Sequence, residues 1–200
     1  MTRIPSPARL SLIGILLALA LLALPSAQAF ANDPATAPAK SAAQSASILN
    51  RDSLEQAMHT LLQATMARDL ETILQFQAPR KIQKIAKAMD KTHAETIAEL
   101  IRVGRSVDEH QPVQILSGHY DVDTAEFGKT STGRDYAVLN YSRTFKKDGK
   151  TFELGYPTLA SVDGKRIFIV PLSDEALLPE LIELYPDLAS VKIPAAKTQQ

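Results

Sequence analysis

The chain is predicted to be an α+β protein in which N-terminal helices pack on a curved antiparallel sheet, a meander, followed by a short C-terminal helix. Three observations carry this expectation. Apolar residues recur at helical spacing from Leu54 to Ile101, and at a spacing of two after Pro112. Two pairs, Asp148-Gly149 and Asp163-Gly164, each stand between strand-like runs, and Asp-Gly favours a two-residue turn with positive φ at both central residues. Of the five tyrosines and six phenylalanines, eight lie between Tyr120 and Phe168, and aromatic side chains suit pleated, half-buried surfaces.

Arg3 and Arg9 precede an apolar run from Leu10 to Leu24, which is followed by Pro25 and the small-residue stretch Ala27-Gln28-Ala29. That is the pattern of a secretory signal peptide. The run is about fifteen residues, short of the roughly twenty that span a bilayer, so residues 1–29 are expected to be cleaved and no other span is expected. Residues 30–47 are Ala, Pro, Ser, Gln and Thr with almost no large apolar side chain. Such a stretch cannot offset its ordering entropy by burial, and reads as a flexible linker. Residues 48–191 read as one α+β domain, and 192–200 as a disordered tail. The chain has no cysteine, so despite the expected export its stability must come from its core. Removing Arg3 and Arg9 from 22 basic residues leaves 20 against 22 acidic ones, a net charge near −2. This implies no general affinity for nucleic acid or anionic membrane.

Ser53-Leu54-Glu55-Gln56 reads as a capping box, opening a first helix that runs to about Ala67 with Leu54, Ala57, Met58, Leu61 and Leu62 on one face. A shorter helix follows from Asp69. Pro79 fits the first position of a third, whose stripe is Ile82, Ile85, Ala86 and Met89. Thr92-His93-Ala94-Glu95 is a second capping box, opening a fourth helix expected to end near Gly104. Alternation from Val113 to Asp123 then predicts a strand, with Val113, Ile115, Ser117 and His119 on one side and Leu116, Gly118 and Tyr120 on the other. A loop over 127–134 joins it to a three-stranded meander over 136–171. With Asp148-Gly149 as the turn, Phe145 pairs with Phe152, Arg143 with Leu154, Tyr141 with Tyr156 and Leu139 with Thr158. These pairs share one face, while Asn140, Ser142 and Thr144 line the other. The second turn places Ala160 opposite Ile167, with Leu159, Phe168 and Val170 on the far side. Ser173 is expected to cap a last helix, kept short by Pro179.

No G-x-S-x-G, H-E-x-x-H, P-loop or dinucleotide-binding glycine pattern is present, and no cofactor is implied. Three constellations remain. His119, Asp121 and Asp123 at a spacing of two would share a strand face, where they could hold a metal or act as an acid–base pair. Arg80, Lys84, Lys87 and Lys91 form a basic stripe along the third helix, suited to a polyanion or an envelope surface. Tyr141, Arg143 and Tyr156 lie on the helix-facing side of the sheet. A cavity there would offer two hydroxyls and a guanidinium to a ligand with a carboxylate or carbonyl.

The order of elements adds a resemblance. Helices come first, two of them joined by Ala67-Arg68-Asp69-Leu70-Glu71, and a meander follows, ending in Lys165-Arg166-Ile167-Phe168-Ile169-Val170. Over residues 53–171 this resembles the nuclear transport factor 2-like, or cystatin-like, α+β roll of many small exported bacterial proteins. The four-helix start is longer than the simplest members need, and the C-terminal helix is an addition. In enzymatic members a cone-shaped pocket holds a carboxylate base or a His–Asp pair with a tyrosine donor. No position here matches such a motif, and the fold alone assigns no function. The resemblance also implies a homodimer through the open face of the sheet, where Leu159, Phe168 and Val170 would lie exposed.

The expectation is therefore an exported domain, periplasmic in a Gram-negative cell. It is read as non-enzymatic, binding a small apolar or amphipathic molecule or an envelope protein between helices and sheet. One alternative is an isomerase, dehydratase or hydrolase with His119 or Asp121 as base and a tyrosine at the developing oxyanion. A further one is an envelope-surface protein acting through the basic helix 80–91.

Overall fold

The computed structural model describes residues 47–110, 113–174 and 176–194, so the expected signal peptide, most of the linker and residues 195–200 lie outside the described residues. Four α-helices precede a curved antiparallel sheet and one follows it, as the sequence predicts. Helix α1 spans Arg51–Ala67 and α2 Leu70–Gln75, with Asp69 as N-cap of the latter. Helix α3 spans Pro79–Ala88 with Pro79 in its first turn, and α4 spans His93–His110. The capping box at α1 is Asn50 with Ser53, not Ser53 with Gln56. Asn50 Oδ1 accepts from the Ser53 N–H at 2.9 Å and Ser53 Oγ accepts from the Asn50 N–H at 2.9 Å, so the helix starts earlier than expected. At α4 the predicted box forms: Glu95 Oε2 accepts from the Thr92 N–H at 2.8 Å. Gly104 does not end that helix. It is buried inside it, and its missing side chain leaves room beside the sheet.

The strands are β1 (Gln114–Tyr120), β2 (Glu126–Lys129), β3 (Asp135–Lys147), β4 (Lys150–Asp163) and β5 (Arg166–Pro171). Their order is β1-β3-β4-β5, with β2 pairing on β3 beyond the end of β1. The β3–β4 register is the predicted one, from Lys147 opposite Lys150 to Leu139 opposite Thr158. Positive φ at Asp148 (50°) and Gly149 (76°) sets it. The second turn differs. Asp163 stays paired with Arg166, so the loop is Gly164-Lys165 with only Gly164 at positive φ (64°), and Ala160 faces Ile169 instead of Ile167. The shift is two residues, so every side chain keeps its predicted face.

Two further corrections concern the first two strands. A bulge between Ile115 and Ser117 rephases β1, bringing Ile115 onto the same face as Gly118 and Tyr120. The expected loop over 127–134 contains part of β2, whose Gly128 sits under the Tyr136 ring: a Cβ there would come 2.5 Å from the ring.

The inner face of the sheet packs on α1. Leu54, Ala57 and Met58 meet Ala137, Leu139, Ala160 and Ile169, all buried. The Phe76 carbonyl accepts from the Ile169 N–H at 2.9 Å, so the chain after α2 covers the β5 edge. The outer face has two parts. Toward the first hairpin turn it is polar, with Asn140 exposed; toward its base it carries Val138, Leu159 and Phe168. This base is covered by helix α5 (Leu177–Leu184) and a 3₁₀ turn (Pro186–Ser190), which contribute Leu181, Tyr185 and Leu188. Leu159 and Phe168 are 0% exposed and Val170 is half-buried, so the surface expected to carry a homodimer is already closed by the chain itself. Ser173 is not the cap of α5. That helix begins at Leu177, which puts Pro179 in its first turn, where a missing N–H is tolerated.

Tyr185 fastens this cover. Its ring stacks on Phe168 at 5.0 Å, and the guanidinium groups of Arg80 and Arg134 stand over it at 4.6 and 4.9 Å. Its hydroxyl donates to Asp163 Oδ2 at 2.9 Å. Asp187 completes the clasp by accepting from Thr130, Thr132 and Arg134 at 2.9, 2.7 and 2.8 Å. Burial alone would raise the Asp187 pKa, but the hydrogen bonds from Thr132, Arg134 and Thr130 outweigh it and hold the carboxyl at about 2.

Candidate functional site

The inner face of the sheet is not filled along its whole length. Between β3, β4 and helices α1, α2 and α4 lies a cavity of about 160 Å³. Its walls are mainly apolar: Leu61 and Leu62 come from α1, Ile73 and Leu74 from α2, and Leu100 and Val107 from α4. Alternation on the sheet decides which polar groups enter. Tyr141 and Arg143 are two apart on β3, Tyr156 and Thr158 are two apart on β4, and Tyr141 pairs with Tyr156. All four therefore share the inner face, and all four line the cavity. The tyrosine rings are 5.5 Å apart and tilted by 53°. The Arg143 guanidinium carbon lies 5.8 Å from the Tyr156 ring.

Two polar atoms in this patch stand out. Among the described residues, Arg143 Nε and Thr158 Oγ1 are buried with no hydrogen-bond partner. Buried polar atoms are paired in the great majority of cases, so two orphans in one cavity mark it as specialised. The hydroxyls stay protonated at neutral pH. Burial pushes Tyr156 up to about 12 and also raises Tyr141, while the Arg143 guanidinium pulls weakly the other way in both. Arg68, Lys147 and Asp108 also line the cavity. Arg68 donates to the Val113 carbonyl at 2.6 Å and its Nη1 stands 4.0 Å from Asp108 Oδ2, so it is already engaged.

Gly118 of β1 supports the patch from below. A Cβ on it would come 2.7 Å from the Tyr141 hydroxyl and 2.5 Å from Leu62 Cδ1, so only glycine allows that ring position. Sequence reading missed Gly118, Thr158 as an orphan, and the α4 wall. Thr158 had a signal, since its hydroxyl stands between Tyr156 and Ala160 on the helix-facing side of β4. The other two depend on the bulge in β1 and on α4 continuing past Gly104.

The other two constellations are placed elsewhere. His119 is exposed on the outer side of β1, and Asp121 and Asp123 are exposed in the turn after that strand ends. Asp121 Oδ1 accepts from the Asp123 N–H at 2.9 Å, and Asp123 pairs with Arg51. None of the three lines the cavity, and among the described residues no group of three or more His, Cys, Asp or Glu side chains is placed to hold a metal. In the basic stripe, Arg80 stands 3.6 Å from Asp163, Lys84 2.8 Å from Glu183 and Lys91 3.8 Å from Glu99, while Lys87 is exposed. Half of that stripe thus faces acidic groups of the C-terminal cover and the β4 end.

Comparison with protein-family models, with curated proteins and with solved structures finds no match, so the functional reading rests on this geometry.

Proposed function

We propose that this chain is a non-catalytic binding domain, holding a small apolar or amphipathic molecule in the cavity between helices and sheet. The supporting observation is an apolar-walled cavity of about 160 Å³ lined by Arg143, whose Nε is buried and unpartnered. Protein interiors are close-packed, and a retained cavity of this character calls for an occupant. Acid–base chemistry has less support. His119 and Asp121 lie outside the cavity, and the carboxylate that lines it, Asp108, is oriented toward Arg68. An exported location rests on the N-terminal signal sequence, and kinship with nuclear transport factor 2-like rolls rests on element order.

Native mass spectrometry of the chain from an exported expression tests the reading. The wild type should carry a stoichiometric small-molecule adduct that is lost in Leu100→Trp, which fills the cavity. Toluene should likewise raise the Tm of the wild type and not of the filled variant, with Val107→Phe as a gentler filler should Leu100→Trp not fold. A wild type without adduct and without response to toluene overturns the proposal.

A further inference from the structure

We infer that the occupant is a compact monocarboxylate, its carboxylate held by Arg143 and Thr158 and its apolar body by the helices. This rests on the binding reading above and names the ligand class. The first argument is donor count. Two adjacent strands bring Arg143 Nε–H and the hydroxyls of Thr158, Tyr141 and Tyr156 onto one face of one cavity. A guanidinium only donates, while hydroxyls donate and accept; the Arg143 Nε–H, which none of those hydroxyls serves, calls for an acceptor from outside. Among the described residues no acceptor serves Arg143 Nε or the Thr158 hydroxyl.

Charge is the second argument. The lining carries three cations, Arg68, Arg143 and Lys147, against the single carboxylate of Asp108. Asp108 faces Arg68, which leaves the Arg143 guanidinium without a carboxylate in the cavity. A planar guanidinium edge matches a planar carboxylate, and such charge-assisted bonds are about twice as strong as neutral ones. One such guanidinium, with its Nε buried, fits one negative charge.

Size is the third. A cavity of about 160 Å³ is close to the roughly 150 Å³ void that accepts benzene in a leucine-lined core, so the body is ring-sized rather than a long acyl chain. Lining by Leu61, Leu100 and Val107 matches an apolar body.

The experiment is isothermal titration of the full chain with benzoate and with benzyl alcohol, its uncharged counterpart. Benzoate should bind one to one and about tenfold or more tighter than the alcohol, the ratio one charge-assisted hydrogen bond supplies. Arg143→Met should erase that preference. Thr158→Val should reduce the preference in part, and it carries the residue assignment if Arg143→Met does not fold. Equal binding of benzoate and benzyl alcohol overturns the carboxylate inference and leaves the binding proposal standing. Failure of benzoate, benzyl alcohol and toluene alike, with no adduct on the wild type, overturns the binding proposal itself. A benzoate preference that survives both substitutions overturns the roles of Arg143 and Thr158.

Discussion

Replacing Arg143 by methionine should make the ligand-free protein more stable. The Nε of Arg143 is buried and unpartnered among the described residues. An orphaned buried donor costs about 1–3 kcal/mol, and its removal recovers that amount less the packing lost. Methionine fills most of the space of the arginine stem and adapts to irregular gaps. A net gain of about 1 kcal/mol is therefore expected, which for a domain of this size raises Tm by about 2–4 °C. Thr158→Val removes the other orphan at nearly constant volume, at a residue 2% exposed, and should gain a similar amount. The assay is urea and thermal unfolding followed by circular dichroism, on protein refolded from urea to strip any bound molecule. A loss of about 1 kcal/mol or more in Arg143→Met would show that the guanidinium is a structural group, and would refute the reasoning that leads from orphaned donors to a ligand. The expected pattern, gain of stability with loss of the carboxylate preference, is that of a site kept for function at the expense of the fold.

Gly118→Ala should destabilise by about 1–3 kcal/mol, because its Cβ would stand 2.5 Å from Leu62 Cδ1 and 2.7 Å from the Tyr141 hydroxyl, and it should weaken benzoate binding by shifting Tyr141. Wild-type stability and affinity in the same titrations would contradict this packing. Asp187 has a folded pKa of about 2 against an ordinary 3.8, so its contribution is present above pH about 4 and lost as pH falls from there toward 2. At about 1.4 kcal/mol per pKa unit that contribution is about 2 kcal/mol. Asp187→Asn should thus cost about 2 kcal/mol at pH 7, with a gap that narrows as pH falls below about 4 in urea titrations; a gap independent of pH would deny the carboxylate its role. Removing residues 173–200 should uncover Leu159 and Phe168 and cause self-association in sedimentation at micromolar concentration, whereas a clean monomer would mean that the outer face needs no cover.

Local physics made much of this protein legible in its sequence. Asp148-Gly149 prescribed a turn with two positive φ values, and the turn prescribed the whole β3–β4 register. Alternation then required Tyr141, Arg143 and Tyr156 to share a face, and Thr92 with Glu95 announced the start of α4. These features depend on residues close in the chain or on a period of two, which short-range rules capture. Other features depend on partners far along the chain. The bulge beside Leu116 exists because β1 must follow β3, and Gly128 reads as a loop residue until Tyr136 lies over it. Leu159 and Phe168 read as an exposed dimer face because nothing near them announces that Tyr185 and Leu188 return to cover them. The cavity is the clearest case. Whether an apolar face is filled or left open is set by the distance between two layers, and that distance was decided by where α4 and α2 pack, not by any residue on the sheet.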